Sequence, residues 1–148
     1  MNSLTKEINY TWNKFETDIA KLIRRIKDAK FKPNTIVGIA TGGLPMGVKL
    51  KNKLGVPLLI ISTASYEHKK QGQLIFNASF TRPIKSPVLV VDDICDTGHT
   101  METVCSYLSS MGLTVKSGSL FYKEHSVFKP TWTINKVNNN AWIKFCWE

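Results

Sequence analysis

The chain has 148 residues, 43% of them hydrophobic and 21% charged, with twenty Lys and Arg against eleven Asp and Glu. That length suits one domain with a real core, and the absence of repeats, low-complexity tracts and any apolar run near ~20 residues argues against solenoid, disordered and helical membrane classes. The formal charge of +9 is dispersed, without an arginine-rich arm or an aromatic RNA-binding motif, so no nucleic acid partner is expected; the same field suits a small, highly phosphorylated substrate.

In chain order, Ile8 to Trp12 reads as a short extended segment. Phe15, Ile19, Leu22, Ile23 and Ile26 then recur at helical spacing, with Lys21, Arg24, Arg25 and Lys27 on the other face. Pro33 is expected to end this helix near "KFKPN". The stretch "TIVGIATGGLPMGVKLKNKLGVPLLIIST" predicts strand, glycine turn, helix, strand. Ile36 to Ala40 and Val56 to Ile61 are apolar without alternation, as in strands buried on both faces, and a helix over about Leu44 to Leu54 is stopped by Gly55. The polar segment from about 64 to 81 predicts a long mobile loop with one candidate strand at Leu74 to Phe76. A second strand, helix and strand follow over Val88 to Val91, Thr100 to Met111 and Thr114 to Tyr122. The aromatic tail holds two short strands, around Thr131 to Ile134 and Ala141 to Phe145. Strands alternating with helices predict an α/β fold with a parallel sheet covered by helices on both faces.

Ligands of such sheets bind beyond the carboxyl ends of strands, where helix N-termini present free N–H groups. Two unusual stretches fall there, "ATGGLPMG" and "DDICDTGHT". In the second, Gly98 allows close backbone approach, Asp96 can cap the next helix, and Thr97 and Thr100 add hydroxyls, which together make a phosphate cradle. An ordinary turn and helix cap would use the same residues. Neither loop is GxGxxG or GxxxxGK[ST], so dinucleotide and P-loop chemistry are unsupported. Asp92 and Asp93 are adjacent carboxylates beside a buried strand, which repel unless hydroxyls, a metal or cations compensate them. A phosphorelay receiver would need a phosphoacceptor aspartate on a later strand, and no Asp follows Asp96.

"VLVVDDICDTGHTM" resembles the phosphoribosyl-pyrophosphate signature of type I phosphoribosyltransferases, with four apolar strand residues, two acids and a phosphate loop opened by a third acid. The resemblance spans nearly the whole chain. "YTWNKFETDIAKLI" is similar to the first helix of the hypoxanthine/xanthine/guanine branch, "IVGIATGGLPMG" to its pyrophosphate loop, "ISTASYEH" to the start of its mobile loop, and "LFYKEHS" with "AWIKFCWE" to its purine-binding end.

The resemblance implies a single phosphoribosyltransferase domain over 1–148 with a hood built from the N- and C-terminal segments, the base-binding part at about 123–148. It implies transfer of phosphoribosyl from phosphoribosyl pyrophosphate to a 6-oxopurine, with Mg²⁺, in purine salvage, by a homodimer or homotetramer. Asp92 and Asp93 would hold the ribose hydroxyls directly or through Mg²⁺. Asp96 would take or share a proton at purine N7. The loop Asp96, Thr97, Gly98, His99 and Thr100 would grip the 5′-phosphate through backbone N–H groups and the two threonine hydroxyls. Thr41, Gly42 and Gly43 would cradle pyrophosphate, in a loop where the family often has a non-proline cis peptide; Thr41 stands where relatives frequently carry Arg or Lys. Ser65 and Tyr66 would begin the closing loop, and Lys69 or Lys70 would supply the missing cation unless they are simply a solvated pair. Lys123 would donate to purine O6, Trp142 would stack on the ring, and the Ile143 backbone would meet its edge. By residue type alone, Lys123 reads as a surface lysine and Trp142 as a core aromatic. "FCWE" departs from a common "FPWE" at Cys146. The alternatives are a regulator of this fold that senses phosphoribosyl pyrophosphate or a nucleotide and binds nucleic acid, and a transferase for another base.

"MNSLTKEINYTW" lacks the apolar stretch of a secretory signal. Cys95, Cys105 and Cys146 form no CxxC and no zinc-ligand spacing with His68, His99 or His125. A cytosolic protein with reduced thiols is expected.

Overall fold

The computed structural model of the chain describes residues 5–65, 74–77 and 83–148. A short strand, β1 (Lys6–Tyr10), leads through Thr11 into helix α1 (Trp12–Asp28). Thr11 is the N-cap; its hydroxyl accepts the Lys14 N–H at 3.1 Å, which satisfies one of the unpaired donors of the first turn. The buried face is Phe15, Asp18, Ile19, Leu22 and Ile26, as the spacing predicts, and Arg25 and Lys27 sit in the last turn, where the helix dipole favours cations. The helix stops well before Pro33. Lys30 takes a left-handed conformation (φ 56°), and the Phe31 N–H returns to the Ile26 carbonyl at 3.1 Å, so a backbone turn rather than proline ends it.

The remaining elements are β2 (Thr35–Ala40), α2 (Leu44–Leu54), β3 (Leu58–Ser65), β4 (Leu74–Asn77), β5 (Val88–Cys95), α3 (His99–Ser110), β6 (Val115–Lys123), β7 (Trp132–Val137) and β8 (Ala141–Phe145). Six strands form the central sheet in the order β4-β3-β2-β5-β6-β7. All pairs are parallel except β3 with β4, which runs antiparallel from Ser62 opposite Asn77 to Ser65 opposite Leu74. The expected parallel sheet therefore carries one antiparallel edge strand. Two boundaries also move. β3 continues through Ala64 and Ser65, which the sequence assigns to a loop, and β5 continues through Asp92 to Cys95 because that stretch still pairs with β6.

Side chains alternate across β2 and β5. Val37, Ile39, Val88 and Val90 pack against Met101, Val104 and Leu108 of α3. Ile36, Leu89 and Val91 pack with Leu120 against Ile19, Leu22 and Ile26 of α1 and Met46 and Leu50 of α2. Both faces are covered, which is why these strands are apolar without alternation. Each such fully buried aliphatic side chain contributes about 1.5–3 kcal/mol.

β1 and β8 form a separate two-stranded parallel sheet, Lys6 opposite Ala141 through Tyr10 opposite Phe145. It joins the terminal segments into a hood over one end of the central sheet. Tyr10 meets Phe121 edge-on at 4.9 Å, and Phe145 stacks on Trp147 at 4.8 Å. The Tyr10 hydroxyl donates to buried Asp18 at 2.8 Å, and Asn135 of β7 donates to the same oxygen at 2.8 Å. Burial and the Asp18 carboxylate push the Tyr10 phenol above its usual range, so it stays a donor. Among the described residues no helix is long and apolar enough to cross a membrane.

Candidate active site

The chain leaves β2 toward β3 on one side and later returns to pair β5 on the other, so the strand order reverses between β2 and β5. Ligands of open α/β sheets lie in the crevice outside such a switch point. The two strands pair only as far as Gly38 opposite Val91. Beyond that they diverge, and the turn Thr41–Gly43 folds back into the gap, with the Ala40–Thr41 peptide cis. Backbone there is packed without room for side chains: a Cβ on Gly43 would lie 2.6 Å from the Val91 carbonyl and 2.8 Å from that of Ile39, and one on Gly42 would meet the Asp93 carboxylate at 2.5 Å. The turn after β2 and the acids at the end of β5 are thus in direct contact.

The two acids fold back onto their own backbone. The Asp93 N–H donates to Asp92 Oδ1 at 2.9 Å, and the Ile94 N–H donates to Asp93 Oδ1 at 2.7 Å. Burial, followed by the charge of Asp93, holds the Asp92 carboxyl well above the usual range. Asp93 is also raised, chiefly by burial, opposed by a hydrogen bond with the Asp92 side chain and by the Ile94 N–H, with Glu148 adding negative charge. A raised acid binds its proton more readily folded than unfolded, so stability falls as pH rises from the ordinary carboxylate range through the folded value. Above that, ionising the pair is a standing penalty. Asp92→Asn should therefore raise Tm by about 3 °C at pH 8, a shift of ~1 kcal/mol in a domain this size, and the gain should shrink toward pH 4; thermal unfolding across pH checks this, and a gain that grows on acidification would contradict it.

Asp96 behaves differently. Its carboxylate does not cap α3: the N-cap is Gly98 (φ 89°), with no side-chain bond. It instead receives Lys123 Nζ on Oδ2 at 3.1 Å and His125 Nε2 on Oδ1 at 2.7 Å. Burial works against its charge, but the bonds from His125 and Lys123 outweigh that and lower its pKa. Lys123, only 7% exposed, is buried at the end of β6. Such a cation requires a carboxylate or polar ligand beside it.

Four of the phosphate-loop candidates, Asp96, Thr97, Gly98 and Thr100, bound a small cavity of about 100 Å³ together with Asp92. Gly98 is locked by its surroundings, since a Cβ there would strike the Ser126 hydroxyl and lie 2.7 Å from the Phe128 N. The Val127 N–H donates to the Thr97 carbonyl at 2.8 Å, which ties the loop to the segment after β6. The His99 N–H is engaged by the Thr97 hydroxyl at 3.4 Å.

A larger cavity of about 760 Å³ opens beside it, walled by Thr41, Gly42, Asp92, Asp93, Asp96, Thr100, Lys123, Trp142 and Ile143. Of the candidates outside the mobile loop, all but two wall one of these cavities; Gly43 lies one residue behind the wall, and His99 lines neither. Trp142 is 60% exposed on the cavity side of β8, so it is no core aromatic, just as Lys123 is no surface lysine. Ser65 is the last residue of β3. Tyr66, Lys69 and Lys70 lie outside the described residues. Leu44, Pro45, Trp147 and Glu148 also wall the large cavity; they and His125 lie within the stretches that carry the resemblance but have no individual role there. "FCWE" was the available signal for Glu148. For His125 it was the two-residue step from Lys123.

The carboxylates of Asp92 and Asp93 supply hard oxygen ligands that suit a divalent cation holding most of its shell from water and substrate oxygens. Among the described residues no three His, Cys, Asp or Glu side chains converge to form a metal cage; any cation here would complete its shell from other oxygens.

Residues 7–148 match the phosphoribosyl transferase domain family. The xanthine-guanine phosphoribosyltransferase of Chromohalobacter salexigens is 25% identical over 144 residues, covering 97% of this chain and 85% of that protein. Among solved structures, the purine phosphoribosyltransferase of Pyrococcus horikoshii superimposes with a TM-score of 0.81 at 29% identity, over 97% of this chain and 94% of its own. The Helicobacter pylori xanthine-guanine-hypoxanthine phosphoribosyltransferase gives 0.86 at 25% identity, over 96% and 94%. With a family match that runs over nearly its whole length, and two relatives that superimpose over nearly all of it, this chain belongs to the phosphoribosyltransferase domain family.

Proposed function

We propose that the protein transfers phosphoribosyl from phosphoribosyl pyrophosphate to a 6-oxopurine base, releasing pyrophosphate and a purine nucleoside monophosphate. The observation that carries this reading is the meeting of Asp96 with buried Lys123, 3.1 Å apart, in the cavity that exposed Trp142 walls. An acid/base group, a cationic donor and a stacking face at one cavity are what a purine needs, and a pure phosphate sensor needs none of the three. The names of the relatives, xanthine-guanine and hypoxanthine transferases among them, support the same substrate class.

In this reading the 5′-phosphate sits against Thr97, Gly98, His99 and Thr100, and pyrophosphate against Thr41, Gly42 and Gly43. Asp92 and Asp93 face the ribose hydroxyls and would hold Mg²⁺ jointly with the substrate. Mg²⁺ supplies charge neutralisation for the departing pyrophosphate. The paired carboxylates lend negative charge beside the sugar carbon as it becomes cationic. Lys123 donates to O6, which admits a 6-oxo base and opposes adenine, whose 6-amino group is itself a donor.

Purified protein incubated with phosphoribosyl pyrophosphate, Mg²⁺ and, in turn, hypoxanthine, guanine, xanthine, adenine, uracil and orotate should release pyrophosphate with at least one 6-oxopurine; no release with any base overturns the reading. Trp142→Ala should raise KM for the base by ~5–150-fold, the equivalent of the ~1–3 kcal/mol of stacking on an aromatic face, and leave KM for phosphoribosyl pyrophosphate nearly unchanged. Equal losses for both substrates would mean that Trp142 only supports the hood.

A further inference from the structure

His125 lies outside every element and carries no assigned role, yet it makes the shortest contact to Asp96, Nε2 to Oδ1 at 2.7 Å. Against an ionised carboxylate, which only accepts, the facing nitrogen must carry a proton. The two oxygens of Asp96 are therefore divided, Oδ1 to His125 and Oδ2 to Lys123 at 3.1 Å. The two partners differ in freedom. Lys123 is buried on the cavity wall and is the group that must reach for a bound base; His125 does not wall the cavity and its side chain is 41% exposed.

The loop bearing His125 is held from several sides. Its own N–H donates to the Asn139 side chain at 3.0 Å, the Ser126 N–H returns to the Lys123 carbonyl at 3.0 Å, and the Val127 N–H donates to the Thr97 carbonyl at 2.8 Å. The imidazole thus belongs to a frame that spans the acid's loop and the β6–β7 connection. A carboxylate held through one oxygen by a framed donor has its rotation set, and its other oxygen stays directed into the cavity when the lysine moves away.

On the strength of the function proposed above, we propose that His125 is a positioning residue for the transfer reaction: it anchors Asp96 through Oδ1, so that Oδ2 alone is presented to the base and Asp96 stays ionised and ready to accept a proton. Among the described residues, the charged or titratable groups near Asp96 are Lys123 from β6, His125 from the following loop, Asp92, Asp93 and Cys95 from the strand that precedes it, His99 three residues on at the start of α3, and Glu148 from the tail on the wall of the same cavity. Of these, Lys123 and His125 donate to its carboxylate.

Three chains test this: the wild type, His125→Ala, which removes the donor, and His125→Gln, whose amide nitrogen can occupy the place of Nε2. Turnover with a 6-oxopurine and the ¹³C carboxyl shift of Asp96 are both followed against pH. His125→Ala should lower kcat about tenfold or more, as misplacement of a reacting group does, while KM for phosphoribosyl pyrophosphate holds. The acidic limb of its rate profile and the Asp96 carboxyl titration should both move to higher pH, the direction expected when a donor to the charged form is lost. His125→Gln should recover most of kcat and return the limb toward the wild type. A rate loss without movement of the limb, or no recovery with Gln, would overturn the proposal and leave His125 a loop residue. The carboxyl titration needs no turnover: if the wild type is inactive with every base, the functional reading fails, and an Asp96 titration that still moves in His125→Ala keeps the anchoring contact itself.

Discussion

Asp96→Asn should lower turnover by ~10²–10⁴-fold, the usual contribution of a positioned acid or base, and leave a folded protein. The substitution is nearly isosteric, but an amide has one oxygen where the carboxylate has two. It can accept from Lys123 or from His125 and must turn its NH₂ toward the other, so the division of oxygens in the native site, 3.1 Å on one side and 2.7 Å on the other, cannot be kept. No proton acceptor then faces the base. Lys123, 7% exposed, loses its counter-charge, which is unfavourable for a buried cation, so a drop of a few degrees in Tm should accompany the loss of rate. Steady-state pyrophosphate release and thermal unfolding on the same preparation check both parts. An unchanged rate would remove Asp96 from the chemistry.

Gly43→Ala and Gly42→Ala should separate stability from function one residue apart. At Gly43 the atoms nearest the new methyl are all backbone, the Val91 carbonyl at 2.6 Å and the Ile39 carbonyl and nitrogen at 2.8 and 2.9 Å. These atoms belong to β2 and β5 at the centre of the sheet and cannot step aside. The two strands must part, at ~1–3 kcal/mol for overpacking of this kind, and Tm should fall by roughly 3–9 °C. At Gly42 the obstacle is the Asp93 carboxylate, with the methyl within 2.7 Å of all its terminal atoms. A side chain can swing away, so Gly42→Ala should keep its Tm within a few degrees while binding of phosphoribosyl pyrophosphate weakens ~10–100-fold, as the carboxylate and the turn are displaced together. Thermal unfolding and titration calorimetry with phosphoribosyl pyrophosphate distinguish the two. The reverse pattern, with a stable but inactive Gly43→Ala and an unstable Gly42→Ala, would contradict the assigned packing.

The elements were legible because the residues that build them leave periodic marks. Phe15, Ile19, Leu22 and Ile26 announce α1, and the unbroken runs at Ile36–Ala40 and Val88–Val91 announce strands covered on both sides, as the packing of Val37 and Val90 on α3 and Ile36 and Leu89 on α1 and α2 shows. Element ends were less legible. β5 runs on to Cys95 because β6 offers it a partner, Asp92 opposite Ser119 and Cys95 opposite Tyr122, and a partner strand is invisible in a local window. For the same reason the antiparallel edge strand β4 could be located but its direction could not.

By itself the sequence determined the order of strands and helices and which short stretches carry chemistry, because propensity, apolar period and the acid and glycine content of "DDICDTGHT" and "ATGG" are local properties. Only the tertiary structure decided which side chains meet. It buried Lys123 and exposed Trp142, against the habits of their residue types. It turned Asp96 from a helix cap into the partner of two donors, and it brought His125, with no local sign of a role, to 2.7 Å from that acid. Burial and hydrogen-bond partnership depend on what other strands and loops place alongside a residue, and in this fold those neighbours come from chain segments ~30 to 100 residues away, beyond the reach of any local pattern.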